Sequence, residues 1–270
     1  MLKRGLASAP EGRGVLRLAA ASWWLVAFAG QLVFGAYILA TYGSATLHDA
    51  AAAWNRVWPT GYLPGQPRGN AIVMVHVLLA SLVAILGSLQ MIPLLRRRAP
   101  WFHRWNGRIY ISVAIVVGVA GLAMLATGRA FVGSSQNTGV AINGVLLLIC
   151  AVLAWRRARQ RDFTAHRRWA LRMFVLAAGV WLFRIGLAAW IAVNGGIAGF
   201  DPMTMRGPAL FTLAMGEWAL PLLVVEAYLR VERAAAAAGR YAVAALLMAL
   251  TAATAFGAYR ATLGMWWPAM

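Results

Sequence analysis

The sequence has few charged residues for its length. Only 12% of its 270 residues are charged, whereas 62% are hydrophobic. Soluble chains are roughly half apolar and about a quarter charged, so a soluble core would not bury this much apolar surface. The composition therefore predicts a membrane protein, for which lipid takes the place of part of the water.

Cysteine and acidic residues are scarce as well. Cys150 is the single cysteine, which excludes a disulfide framework and the paired-cysteine motifs of metal binding and haem attachment. Seven acidic residues stand against 25 basic ones, giving a net charge of +18. The basic residues cluster in short loops between apolar runs, as topology signals do. We therefore expect a protein that binds no nucleic acid, and the lipid bilayer as its partner.

Apolar runs long enough to cross about 30 Å of hydrocarbon at about 1.5 Å per residue occur seven times. They lie near residues 18–40, 71–95, 109–127, 139–155, 171–194, 211–229 and 241–258. This pattern predicts an all-α, polytopic membrane helix bundle with seven transmembrane helices. We divide it into a leader, first anchor and outer interfacial helix (1–70), a core bundle of spans two to six (71–230), and a last transmembrane helix with its tail (231–270).

The outer interfacial helix is predicted from four apolar residues. Leu47, Ala51, Trp54 and Trp58 recur at helical spacing between the first two spans. Such a stripe is typical of a short helix that lies on the membrane surface.

The basic residues predict the orientation. Of the 25, 19 fall on the side that holds the N-terminal leader, five on the opposite side and one, Arg184, within a span. Because short loops rich in Lys and Arg stay in the cytoplasm, the N-terminus should be cytoplasmic and the protein a multi-pass protein of the cell inner membrane. Anionic lipids of the cytoplasmic face are then expected partners.

Two similar stretches open the third and fifth spans on that side. They are WFHRWNGRIY at 101–110 and AHRRWALR at 165–172, called here the first and second His-Arg boxes. Counting along each span at about 1.5 Å per residue places several polar groups in one inner layer, because they are equally deep. These groups are Gln90, His103, Arg108, His166, Arg172 and Glu226.

A second polar level is predicted farther out. Arg184 and Glu217 each lie about 20 Å from the inner edge on the same estimate, so they are expected to pair between the fifth and sixth spans. Whether such a pair would be purely structural or part of a proton or substrate path stays open. His76 lies higher still, near the outer surface.

The order of these residues resembles that of a known family. The series His76, Gly87 and Gln90, then HRWNGRIY, then HRRWALR, then Arg184 and Glu226 is similar to the prokaryotic predicted membrane proteins catalogued as domain of unknown function 2306, over roughly residues 71–230. The resemblance implies the helical fold, the membrane location and the residues to watch, but no reaction. More loosely, the histidine-bearing helices are similar to the two-haem membrane cytochromes, although these often carry a second histidine four turns along one helix, where this chain has Gln90.

Three interpretations of the boxes compete. In the first, the protein transfers electrons through a haem b whose axial iron ligands are His103 and His166. Arginines such as Arg108 and Arg172 would bond the haem propionates. A second, outer haem would be held by His76, with or without His48. In the second, the boxes bind or transport an anionic ligand or a lipid head group without redox chemistry. In the third, they anchor helix ends at the interface. The residues do not decide whether the protein is an enzyme.

The orientation can be tested with a reporter. Seven spans and a cytoplasmic N-terminus place Met270 outside, so alkaline phosphatase fused after Met270 should be active. The same enzyme fused after Ala236, in the loop before the last span, should be inactive. A cytoplasmic reading after Met270 would remove one span from the topology.

Overall fold

The chain folds into a bundle of long helices. The computed structural model describes residues 11–48, 50–58, 60–130 and 134–270. Within these ranges the α-helices are α1 (Arg13–Ile38), α2 (Ser44–Leu47), α3 (Pro67–Gln90), α4 (Pro93–Arg98), α5 (Pro100–Ala126), α6 (Ser134–Arg159), α7 (Phe163–Ala177), α8 (Gly179–Val193), α9 (Pro208–Val231) and α10 (Ala237–Ala261). The same ranges contain no strand beyond a single bridge between Asp201 and Arg206. The predicted all-helical membrane fold is confirmed, whereas the side on which the N-terminus lies stays a prediction.

The number of spans agrees with the sequence. Six helical stretches are long and apolar enough to cross a membrane, namely Arg13–Leu47, Pro67–Gln90, Pro100–Ala126, Gln136–Arg159, Pro208–Val231 and Ala237–Ala269. Helices α7 and α8 pass the same test together and are bent by 47° at their junction. The loop after α8 reaches the start of α6, where the Gln136 amide donates to the Met205 carbonyl at 2.6 Å. The bent pair therefore runs from one end of the bundle to the other, as the predicted fifth span.

The break in this span has a visible cause. Ala178 separates α7 from α8, and the side-chain amide of Asn143 on α6 donates to the Leu176 carbonyl at 3.2 Å. A Cβ atom on Gly179 would lie only 2.6 Å from the Asn143 amide nitrogen. Asn143 thus occupies the space beside the break and bonds a carbonyl there, which is how broken helices are tolerated inside a bundle.

Glycine allows α3 and α5 to approach closely. A Cβ atom on Gly87 would come within 2.8 Å of the Tyr110 ring, and one on Gly121 within 2.9 Å of the His76 ring. Small residues at such interfaces let a large side chain of the neighbouring helix fit against the backbone. The first His-Arg box therefore supplies, through Tyr110, part of the packing between the second and third spans.

The predicted interfacial helix is wrong. Leu47 instead ends α2 and is 84% exposed, and a short 3₁₀-helix, Ala51–Arg56, follows. Trp54 is only 2% exposed, belongs to the same apolar cluster as Trp58, and donates its indole N–H to the Tyr42 carbonyl at 3.2 Å. Because a 3₁₀-helix has about three residues per turn, the four-residue stripe does not stay on one face. The tryptophans cover the end of the bundle rather than lie on the membrane surface.

Two groups of helices enclose an open interior. On one side α5 packs against α3 and α6, and α6 packs against α7; on the other, α10 packs against α1 and α8. Helix α9 contacts α6, α7, α8 and α10, so it touches both groups. The indole N–H of Trp23 on α1 donates to the Thr254 hydroxyl on α10 at 3.2 Å. The first and last spans thus form one wall of the space described next.

Candidate functional site

A large cavity lies between the two groups of helices. Its volume is about 2230 Å³, and residues of α1, α5, α7, α8, α9 and α10 line it. One end, called here the arginine-rich mouth, lies where α5 and α7 begin and is lined by Arg17, Arg96, Arg97, Arg104, Arg108, Arg159, Arg161 and Arg167. The opposite end, called here the apolar half, is lined mainly by aliphatic side chains, among them Leu182, Ile185, Ala189, Leu213, Leu220 and Leu250.

The first His-Arg box contributes both structural bonds and cavity lining. The Gln90 amide donates to the His103 carbonyl at 3.1 Å, and the Asn106 amide, buried under the box, donates to the Leu86 carbonyl at 3.0 Å. These bonds fasten α3 to α5. The His103 ring lines the cavity, and among the described residues nothing donates to it or accepts from it. The His103 ring is therefore free to contact a ligand.

His166 of the second box also lines the cavity. Its Nδ1 atom lies 2.9 Å from the Ala154 carbonyl on α6. A carbonyl only accepts, so Nδ1 carries the proton and Nε2 is left as the acceptor of the neutral ring. Both histidines line the same cavity near the starts of α5 and α7. The structure thus brings together the two rings that the sequence placed at one depth.

Two of the three arginines of the second box, Arg167 and Arg172, are bonded to glutamates near the end of α9. Arg167 and Glu232 share two hydrogen bonds of 2.7 and 2.9 Å, and Arg172 and Glu226 share two of 2.6 and 2.9 Å. Arg172 also lies over the Trp169 ring, 4.7 Å from its centroid. Neither Arg172 nor Glu226 is among the residues that line the cavity. This pair joins α7 to α9 and leaves Arg172 turned away from any group bound there.

Of the arginines in the first box, Arg104 and Arg108 both line the mouth. Arg108 lies over the Trp105 ring at 4.9 Å from its centroid. No carboxylate of the described chain is bonded to either, so their charge is available to a ligand.

The remaining histidines lie elsewhere. His76 is packed between α3 and α5, where its Nδ1 lies 2.9 Å from the Val117 carbonyl, and it does not line the cavity. His48 is exposed after α2, with its Nδ1 2.8 Å from the Ser44 carbonyl. The structure therefore separates His76 from His103 and His166.

The expected ion pair between Arg184 and Glu217 does not form. The Arg184 guanidinium lies over the Phe34 ring of α1 at 5.6 Å from its centroid. Its neighbours on α8, Phe183 and Leu187, are the residues that pack against α9. Successive residues on a helix point about 100° apart, so Arg184 faces α1 while Glu217 faces the cavity. The two side chains therefore lie on different faces, whereas their equal depth stays a prediction.

These observations define a polytopic helical membrane protein with an internal cavity that is basic at one end and apolar at the other. Residues 73–203 match the model of the family described as Predicted membrane protein (DUF2306). The resemblance seen in the sequence is confirmed for this region, which holds both boxes and Arg184 but ends before Glu217 and Glu226, short of the expected limit near 230. No curated protein and no solved structure matches the chain.

Two groups of functional interest were missed in the sequence. Glu232 was overlooked because it lies at the end of α9, where an acidic residue is usually solvated; its position beside a second arginine-bearing helix was the signal. Asn106 was read as part of a basic box, although an amide inside an apolar helix usually bonds a neighbouring helix.

The bond between Arg172 and Glu226 can be tested by a double-mutant cycle. Glu226→Leu leaves the partly buried Arg172 without its carboxylate and should destabilise the protein by roughly 1–3 kcal/mol, less than a fully buried pair would. Arg172→Leu combined with Glu226→Leu should recover part of the loss. Thermal melting in detergent, followed by size-exclusion chromatography, measures both, with the exposed Arg157→Gln as the neutral control. An unchanged melting temperature for Glu226→Leu would show that the pair contributes nothing.

Proposed function

We propose that the protein binds an anionic amphiphile in the cavity, with the charged head group at the arginine-rich mouth and the apolar chains in the apolar half. The observation that carries the proposal is the division of one cavity into a basic end and an apolar end. By the positive-inside rule the mouth opens on the cytoplasmic side of the cell inner membrane. A lipid of the cytoplasmic leaflet could then enter with its head group already at the right level.

The charge balance at the mouth favours an anion. Eight arginines line it, and the nearest carboxylate that lines it, that of Glu232, is already bonded to Arg167. Helices α5 and α7 also begin here, and the amide groups at a helix start favour negative charge. Arg104 and Arg108 keep their donors free for phosphate or carboxylate oxygens, which bond the planar guanidinium well.

The size of the cavity favours an amphiphile over a small anion. Pockets for small molecules hold roughly 300–1,000 Å³, whereas this cavity holds about 2230 Å³. The cavity wall also includes Trp23 and Trp24, whose rings can pack against apolar chains while their N–H groups are bonded within the protein. A ligand that filled only the mouth would leave this surface in contact with water.

The proposal can be tested by native mass spectrometry of the delipidated protein with added phosphatidylglycerol or phosphatidylcholine. Phosphatidylglycerol should bind more tightly, and the double variant Arg104→Gln, Arg108→Gln should weaken it by on the order of tenfold or more, because each charge-assisted hydrogen bond contributes roughly 1.5–3 kcal/mol. High salt should also weaken binding.

The matched control is Arg56→Gln with Arg206→Gln, two arginines that do not line the cavity. It should leave binding unchanged. An excess of inorganic phosphate should compete poorly; if it displaces the lipid fully, the site takes a soluble anion instead. Equal binding of the two lipids, or no effect of the mouth variant, contradicts the proposal.

Haem b is a second candidate, because His166 has the bonding typical of a metal ligand. Histidines that bind metals usually donate their other ring N–H to a carbonyl or carboxylate, as His166 does to Ala154. His103 and His166 would hold the group from the same cavity, with Arg104, Arg108 and Arg167 near its propionates. Bound there, haem b supplies one-electron transfer. The location of His76 excludes it from this site, so the expected outer haem gains no support.

An absorption spectrum tests this candidate. Protein expressed with ample haem should show sharp bands in the reduced-minus-oxidised difference spectrum. These bands should be lost in His103→Ala and in His166→Ala, and kept in His48→Ala and His76→Ala, since the last two rings do not line the cavity. A colourless protein that elutes as a folded species rules the candidate out.

A further inference from the structure

Three glutamates lie along α9 and at its end, and one of them differs from the others. Glu226 and Glu232 are each bonded to an arginine of α7. Glu217 is only 4% exposed, and its Oε1 atom has no hydrogen-bond donor. It nevertheless lines the cavity, in the apolar half. An unpaired ionisable group at this depth in a membrane protein is costly to keep and usually has a function.

The backbone around Glu217 is also unusual. Pro221 lies inside α9, four residues after Glu217. Because proline has no N–H, the Glu217 carbonyl lacks its normal partner within the helix. Gly216 adds no side chain, and the position of its missing Cβ atom is open space. Gly216, Glu217 and Pro221 all line the cavity. At these three residues α9 leaves open space beside the cavity. A donor has room there to reach the backbone carbonyl and the side-chain oxygen of Glu217.

No charged side chain of the described residues bonds Glu217 from the helices that pack against α9. On α8, Arg184 faces Phe34. On α7, His166, Arg167, Arg168 and Arg172 lie near the arginine-rich end, as do Arg156, Arg157 and Arg159 at the end of α6. On α10, Arg240 and Arg260 lie at opposite ends of the helix. A carboxylate would therefore be an unpaired charge here, whereas a neutral carboxyl group carries no charge to pair.

We propose that Glu217 is the proton-binding site of the cavity, a carboxyl group that takes up and releases a proton through the arginine-rich mouth. The cavity is continuous from His103 and His166 to Glu217, so water that enters at the mouth can carry the proton. Binding a proton neutralises the Glu217 carboxylate and so removes the cost of an unpaired buried charge. The step applies to the cavity without a bound amphiphile, because apolar chains in the apolar half would displace this water.

Labelling with dicyclohexylcarbodiimide tests the site, because this apolar reagent reacts with a carboxylic acid and not with a carboxylate bonded to arginine. The proton of the acid moves to a reagent nitrogen, the carboxyl oxygen bonds the central carbon, and rearrangement leaves a stable acylurea. Peptide mass spectrometry of the full chain in detergent should find the label on Glu217, decreasing as the pH rises. Glu226 and Glu232 should stay unlabelled.

Glu217→Gln, which keeps the shape of the side chain, should lose the label and elute as the folded species, whereas Glu217→Asp should keep it. Access is checked with Glu217→Cys in a Cys150→Ala background, which should react with N-ethylmaleimide. The proposal fails if this cysteine does not react, since the cavity would then be closed at Glu217. It also fails if the cysteine reacts but Glu217 is never labelled, or if all three glutamates are labelled equally.

Discussion

In hydrocarbon, each polar group must find its partner within the protein, because neither lipid chains nor water supplies one. This constraint explains the polar residues of the first and second His-Arg boxes better than any shared chemistry. Gln90, Asn106, Asn143 and His166 each bond a backbone carbonyl of a neighbouring element of the bundle. These bonds join α3 to α5 and α6 to α7, and the two arginine–glutamate pairs join α7 to α9. The polar side chains therefore set how the helices of this part of the bundle are placed against one another.

Once these bonds are counted, several polar groups around the cavity remain for a ligand. The His103 ring, the Nε2 atom of His166 and the guanidinium groups of Arg104 and Arg108 surround the mouth, while Glu217 stands alone in the apolar half. A protein that used polar groups only for packing would have no reason to leave these unbonded around one cavity. Their arrangement along the cavity, with cations at one end and a lone carboxyl at the other, is the feature that any function of this chain has to explain.

The sequence predicted what depends on position along a helix and missed what depends on direction around it. Depth follows from residue number at about 1.5 Å per residue, so the spans and the common level of His103 and His166 could be predicted. The face on which a side chain lies depends on which helices are neighbours, and one sequence does not contain that information. For this reason Arg184 and Glu217 were wrongly paired, since Arg184 faces Phe34 of α1 instead. The prediction for the tryptophans after α2 was wrong for a different reason. The chain there forms a 3₁₀-helix, and the side chains of Trp54 and Trp58 are buried.

The contact between α1 and α10 has a consequence for biogenesis. The bond from Trp23 to Thr254 joins residues 231 positions apart, so α1 is synthesised and inserted long before its partner exists. Contacts of such separation form late, and a chain is made from its N-terminus onward. Until α10 is inserted, α1 can pack against α3 and α8 but lacks its third neighbour, and one wall of the cavity is missing. The cavity therefore closes only after α10 has been synthesised and inserted.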